Sequence, residues 1–152
     1  MTQREVSALE LGHLYLAVFK RYRRQLDEAM SATGVSMSRA TVLKELSEHG
    51  PMNQATLAAR LGFAPRSVTD TVDALERDAL AARSGDPNDR RARIVEITPA
   101  GAIALSRALA VKHTTMDQIF GGLDTAGRAQ LAELLALMSA RITALSGDCL
   151  VE

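Results

Sequence analysis

The sequence predicts a mainly α-helical chain with one small β-hairpin, and three observations carry that expectation. Alanine and leucine dominate an apolar fraction of 47%, beside only two tyrosines, three phenylalanines and no tryptophan, a balance that favours helices. Apolar residues recur at steps of three and four near both ends of the chain. Between those regions stands one turn cluster, "GDPND" at 85–89, flanked by two short runs that alternate or carry β-formers.

The elements follow in order. Thr2 and Glu5 have the spacing of a capping box, and after them Leu11, Leu14/Tyr15, Val18, Tyr22, Leu26 and Ala29 form one apolar stripe on a long helix reaching about Met30. The Ser31–Gly34 stretch breaks it. Ser36 then caps a second helix with Ala40, Leu43 and Leu46 facing inward, which stops at Gly50 and Pro51. Asn53 caps a short third helix ending at Gly62, and Pro65 opens a fourth that turns Val68, Val72 and Leu75 inward and ends near Ala79/Leu80. Helix, tight glycine turn, helix is the helix-turn-helix pattern. "LAARS" and "ARIVEI", around the polar turn, make the hairpin. Thr98 followed by Pro99 starts a fifth helix running to about Phe120. "GGLD" interrupts, and Asp124 caps the last helix, with Leu131, Leu134/Leu135, Met138, Ile142 and Leu145 on one face. The order ααα α ββ αα is a winged-helix lobe between helical ends. The terminal stripes are more apolar surface than one lobe can bury, so they predict a dimerisation region.

The bulk numbers narrow the function. A length of 152 residues suits one domain. No apolar run approaches the roughly 18 residues needed to span a bilayer, and the N-terminus lacks an unbroken apolar signal segment. The single cysteine, Cys149, excludes a disulfide framework within the chain and suits a reducing cytoplasm. The 18 basic and 18 acidic residues cancel, so any attraction to a polyanion must come from where charges sit. Nucleotide-binding, zinc-protease and C-x-x-C motifs are missing, and His13, His49 and His113 are dispersed. His113 and Asp117, one helical turn apart, are read as ordinary surface residues. No enzyme activity, cofactor or metal is expected.

With these residues in view, the chain resembles the MarR family (multiple antibiotic resistance regulator) of bacterial transcription factors. The resemblance rests on "LAARLG" (57–62), "SVTDTVDALERDAL" (67–80) and above all "DPNDRRARIVEITPAG" (86–101), where Asp89, Arg91, Ile97, Thr98 and Gly101 fall on the family's wing signature. It implies a cytoplasmic homodimer whose helical dimerisation region is residues 1–32 and 100–152. A winged helix-turn-helix lobe at 33–99 would carry its recognition helix at about 64–79 and its wing at about 81–97. It also implies binding to pseudo-palindromic double-stranded DNA, repression more often than activation, and release by a small lipophilic or phenolic effector. Family ligands sit between the dimerisation helices and the lobe, which points here to the first, second and fifth helices; Tyr15, Phe19 and Arg23 are candidates for the lining.

DNA needs cations near phosphates and side chains that reach base edges. On the recognition helix Arg66 can reach guanine or phosphate, Ser67 and Thr69 can donate, and Asp70 can accept from cytosine N4. Many relatives carry a base where Asp70 stands, and Ala64 replaces a common serine cap. At the wing tip Arg91 is placed for the narrow minor groove, Asp89 for orienting it, and Arg90 and Arg93 for backbone phosphates. The competing reading of the tip is a charged loop that keeps an edge strand soluble. Segment 60–93 holds seven arginines against six acids, so geometry and not summed charge decides. Those acids, Asp70 among them, favour the alternative function, a winged-helix module that binds protein and not DNA. A second basic run, Lys20–Arg24, reads as a solvated face, with Asp27 and Glu28 placed to pair with Arg23 and Arg24.

Overall fold

The computed structural model describes residues 5–87 and 92–147. It holds six helices and a small antiparallel sheet in the order α1 (Ala8–Ser31), α2 (Met37–His49), β1 (Met52–Asn53), α3 (Gln54–Leu61), α4 (Pro65–Arg77), β2 (Ala81–Gly85), β3 (Arg93–Ile97), α5 (Pro99–Phe120) and α6 (Thr125–Gly147).

Most helix starts follow from local chemistry. Ser36 accepts from the Arg39 amide, Asn53 from Thr56, Thr98 from Gly101 and Asp124 from Gly127, each side chain satisfying an otherwise orphaned N–H of the first turn. The start of α1 differs from expectation. Its cap is Ser7, whose Oγ accepts from the Glu10 amide at 3.2 Å; Thr2 lies outside the described residues. Ser7-Ala-Leu-Glu10 repeats the spacing of Thr2–Glu5 five residues further on, so the sequence offers two capping boxes near this helix start. Gly50 (φ 79°) and Gly62 (φ 63°) end α2 and α3 in left-handed backbone that disfavours other residues.

The hairpin has a third strand. β3 pairs with β2 along Ala81↔Ile97 to Gly85↔Arg93, and on its other side takes the two-residue β1 through Met52↔Val95 and Asn53↔Ile94. The sheet order is therefore β1-β3-β2. A strand of two residues has no period to read, and only the partner edge defines it.

The chain divides into two compact units, with the boundary in α5 between Thr115 and Met116. In the first, Val35, Val42, Leu43 and Leu46 meet Leu57, Val68, Val72, Leu75 and Val95 in one buried cluster that also takes in Leu105 and Ala108. The inward residues expected of the second and fourth helices are all in it. The terminal stripes are not. Of the α1 stripe only Leu26 is buried, while Leu11, Leu14, Tyr15 and Val18 are exposed; along α6, Leu134, Leu135, Ile142 and Leu145 are exposed as well.

α2 and α3 are tied by Glu45, which accepts from Arg60 and lies 3.2 Å from His49 Nδ1. The hydrogen bond from Arg60 outweighs the effect of burial and, with the nearby positive charges, holds the Glu45 carboxyl below its ordinary value of 4.5. A depressed carboxylate contributes stability above its unfolded value and loses it as pH falls through the folded one. Glu45→Gln is thus expected to be less stable than the parent at neutral pH, with the difference shrinking below about pH 4.5. Urea midpoints at pH 7 and pH 3.5 that differ equally would contradict this assignment.

Candidate nucleic-acid interface

The helix-turn-helix sets the site. α3 ends at left-handed Gly62, and α4 restarts at Pro65, whose fixed φ and absent N–H suit a first helical position. Ala64 makes no side-chain capping bond, as expected. Val68, Val72 and Leu75 anchor one face of α4 in the core. That anchoring leaves Arg66, Ser67, Thr69 and Asp70 exposed on the N-terminal half. Arg66 and Asp70 have no polar partner among the described residues. The Thr69 hydroxyl is engaged: it donates to the Pro65 carbonyl at 3.1 Å and accepts from Gln54 Nε2 at 3.2 Å.

Arg93 stands exposed at the start of β3, opposite Gly85 across the ladder, also without a polar partner among the described residues. Asp89, Arg90 and Arg91, the rest of the expected wing site, lie outside the described residues, as does Cys149. The structure thus places Arg66, Ser67, Thr69 and Asp70 on one helix, and Arg93 at the end of the wing strand.

The charge count over 60–93 changes meaning once pairs are assigned. Arg83, on β2, turns inward to bond Glu76 at 2.7 Å and Asp73 at 2.6 Å. Burial alone would lower its pKa, but the hydrogen bonds and charges of these two acids raise it, so it stays a cation. Arg39, on α2, grips the far end of α4 by donating to the Ala74 carbonyl and to Asp78, and reaches back to the Gly34 carbonyl. Arg60 pairs with Glu45. Three half-exposed acids of the α4 region are therefore each paired with an arginine, and Arg83, Arg39 and Arg60 are all engaged with acids. Arg39 and Gln54 were not legible as members of this network, because the partners of Arg39 at α4 lie 35 and 39 residues away and those of Gln54 15 and 29. The only local hint was Asp73 and Glu76 at helical i, i+3 spacing.

Away from α4, Arg24 pairs with Glu28 at 3.7 Å as anticipated, and Arg23 lies over the Phe19 ring, itself stacked on Tyr15. Asp27 instead accepts from the Met37 amide at the start of α2. A small pocket is lined by Met30, Met37, Thr41, Lys44, Leu109 and Lys112. Among the described residues no helix is long and apolar enough to cross a membrane, and no cluster of metal-ligating side chains occurs.

This winged architecture has known counterparts. The transcriptional repressor MdtR of Bacillus subtilis is 28% identical over 81% of this chain and 79% of its own. The crystal structure of the YusO protein from Bacillus subtilis matches with a TM-score of 0.72 and 29% identity, covering 89% of this chain and 99% of that one. BpsR of Bordetella bronchiseptica, whose DNA binding is regulated by 6-hydroxynicotinic acid, matches with a TM-score of 0.69 and 25% identity over 86% of this chain and 98% of its own. The relatives are transcriptional regulators and not enzymes. The MarR family model itself matches residues 35–92, the span from the end of the α1–α2 loop to the foot of β3. On the fold, the helix-turn-helix with its wing and this match together, residues 35–92 carry the winged-helix domain of the MarR family, and the chain is similar to transcriptional regulators of that family.

Proposed function

We propose that the protein is a homodimeric, ligand-responsive repressor of transcription that binds pseudo-palindromic double-stranded DNA. The N-terminal half of α4 enters the major groove and the wing tip the minor groove. Residues 33–99 form the DNA-binding lobe, and 1–32 with 100–152 the dimerisation region. The observation that carries this reading is the sorting of charge around α4. Asp73, Glu76 and Asp78 are each paired with an arginine, whereas Arg66 and Arg93 on the cationic side and Asp70 on the anionic side have no polar partner among the described residues. A chain with no net charge thereby keeps cations for phosphate.

Arg66 and Ser67 then contact bases or phosphates at the helix start, Thr69 faces the same groove, and Asp70 accepts from cytosine N4. Arg91 enters the minor groove, oriented by Asp89, with Arg90 and Arg93 on the backbone. The exposed apolar residues of α1 and α6 supply the dimer contact, since patches of this extent are rare on free monomers. The effector is a small lipophilic or phenolic acid; the pocket of Met30, Met37 and Leu109 beside Lys44 and Lys112, at about 40 Å³, is too small to hold one as it stands. BpsR, regulated by such an acid, supports that choice.

The test is fluorescence anisotropy with duplex DNA from upstream of the protein's own gene against a scrambled duplex. With about six phosphate contacts per dimer, affinity should fall about a thousandfold between about 50 and 200 mM salt. Two protomers should bind per site, sedimentation should report a dimer in the free protein, and Arg91→Ala should weaken binding several-fold. A clean monomer with equal, weak binding to both duplexes would instead favour a protein-binding winged-helix module.

A further inference from the structure

We infer that Gln54, which lies outside the recognition helix, donates a hydrogen bond to a DNA phosphate, and that Arg83 is the positioning residue that aims it. The inference rests on the DNA-binding reading above and adds to it a contact and the device that sets it.

Gln54 opens α3, but the capping of that helix is done by Asn53, so the Gln54 side chain is not needed for the helix start. Its amide lies between two partners. Arg83 Nε donates to Gln54 Oε1 at 3.2 Å, and Gln54 Nε2 donates to Thr69 Oγ1 at 3.2 Å. An amide's oxygen and nitrogen are usually assigned from the network around them. Here the assignment is forced, because a guanidinium has only donors and the atom facing it must be the oxygen. The NH₂ group is therefore the end turned to Thr69. Thr69 agrees with this: its one proton goes to the Pro65 carbonyl, so its oxygen is left to accept.

The chain of donors runs one way, from Arg83 through Gln54 and Thr69 to the Pro65 carbonyl, and such chains polarise each member. At the inner end the Arg83–Gln54 bond is partly buried; at the outer end the Gln54–Thr69 bond is exposed to solvent. Nε2 carries two N–H groups. One is used on Thr69, and the other has no partner among the described residues. It sits beside Thr69, one turn along α4 from Arg66, on the surface assigned to DNA. A neutral donor aimed at that surface meets phosphate oxygens, the commonest acceptors that DNA offers to protein. Arg83 itself is matched by Asp73 and Glu76, so the amide and not the guanidinium is presented.

The experiment repeats the anisotropy titrations with the full chain, using the upstream and scrambled duplexes at two salt concentrations and following thermal unfolding of each variant. Gln54→Ala should bind both duplexes about three- to tenfold more weakly, the range of one neutral hydrogen bond. The salt slope should not change, because an amide releases no counterion. Gln54→Glu keeps an acceptor for Arg83 and should unfold no earlier than the parent. It replaces the free N–H by a negative charge and should bind at least about tenfold more weakly. Arg83→Met should cost less affinity in the Gln54→Ala background than alone, since the part it exerts through the amide is already gone. If the parent prefers its upstream duplex while both Gln54 variants bind as it does, the inference falls and the regulator reading stands. A loss confined to the upstream duplex would make Gln54 a base reader and overturn the phosphate assignment. A parent that binds both duplexes equally overturns the regulator reading, and the inference falls with it if the Gln54 variants then bind as the parent does.

Discussion

Gly101→Ala is expected to destabilise the protein by about 3 kcal/mol, the upper end of what overpacking costs. A Cβ at this buried position would fall inside the van der Waals shell of the Leu80 carbonyl oxygen and 2.9 Å from the Leu80 carbonyl carbon. On another side it would meet Ile97 Cγ1 at 3.0 Å. The obstruction is backbone, which cannot rotate away as a side chain end can. The Leu80 carbonyl is also held in place, because it accepts from the Thr98 amide at 3.1 Å. Thr98 in turn donates its hydroxyl to the Ala79 carbonyl at 2.7 Å and accepts from the Gly101 amide at 3.0 Å. One threonine and one glycine thus dock the end of α4 onto the first turn of α5. The measurement is a urea titration of the variant beside the parent. A difference under about 0.5 kcal/mol, typical of an unconstrained surface change, would refute the close approach.

Arg39→Ala should cost about 2 to 3 kcal/mol and weaken DNA binding along with it. The Arg39 side chain is only 17% exposed and spans three places: the Gly34 carbonyl at 2.8 Å, the Ala74 carbonyl at 3.2 Å and the Asp78 carboxylate at 2.5 Å. Hydrogen bonds from a charged donor are the stronger kind, but two factors reduce the net. Asp78 is half exposed, and Arg39 Nε is buried without a partner. Truncation would leave the last carbonyls of α4 and a carboxylate near the helix C-terminus, where negative charge is unfavourable. Lysine should restore little, since a single ammonium cannot fork to both Gly34 and α4. Equilibrium unfolding and anisotropy on the same preparation check both halves. Full stability with Arg39→Ala would mean that α4 is held by its apolar face alone.

The two residues differ in how they can be read. Gly101 belongs to the stretch that carries the family resemblance, and its position after Thr98-Pro99 marks a helix start. That it faces the Leu80 carbonyl follows only from the chain folding back over about twenty residues of wing. Arg39 looked like any charged residue on the polar side of a helix. Its three partners belong to the α1–α2 loop and to α4, and no spacing rule links them to it.

The same contrast runs through the whole chain. Sequence by itself determined the helices, their caps at Ser36, Asn53, Thr98 and Asp124, the glycine stops at Gly50 and Gly62, and the inward faces of α2 and α4. It also placed Arg66, Ser67, Thr69 and Asp70 together at the head of α4. These features depend on atoms within about four residues of each other, the reach of a helical turn or a cap. Tertiary structure alone decided that Met52 and Asn53 join the sheet, and which arginines pair with distant acids. A charge in a sequence has no partner until distant segments meet, because pairing falls off within a few ångströms. Seven arginines and six acids in one stretch therefore cancel on paper, while in the fold Arg83 and Arg60 are paired with acids and Arg66 faces out without a polar partner among the described residues.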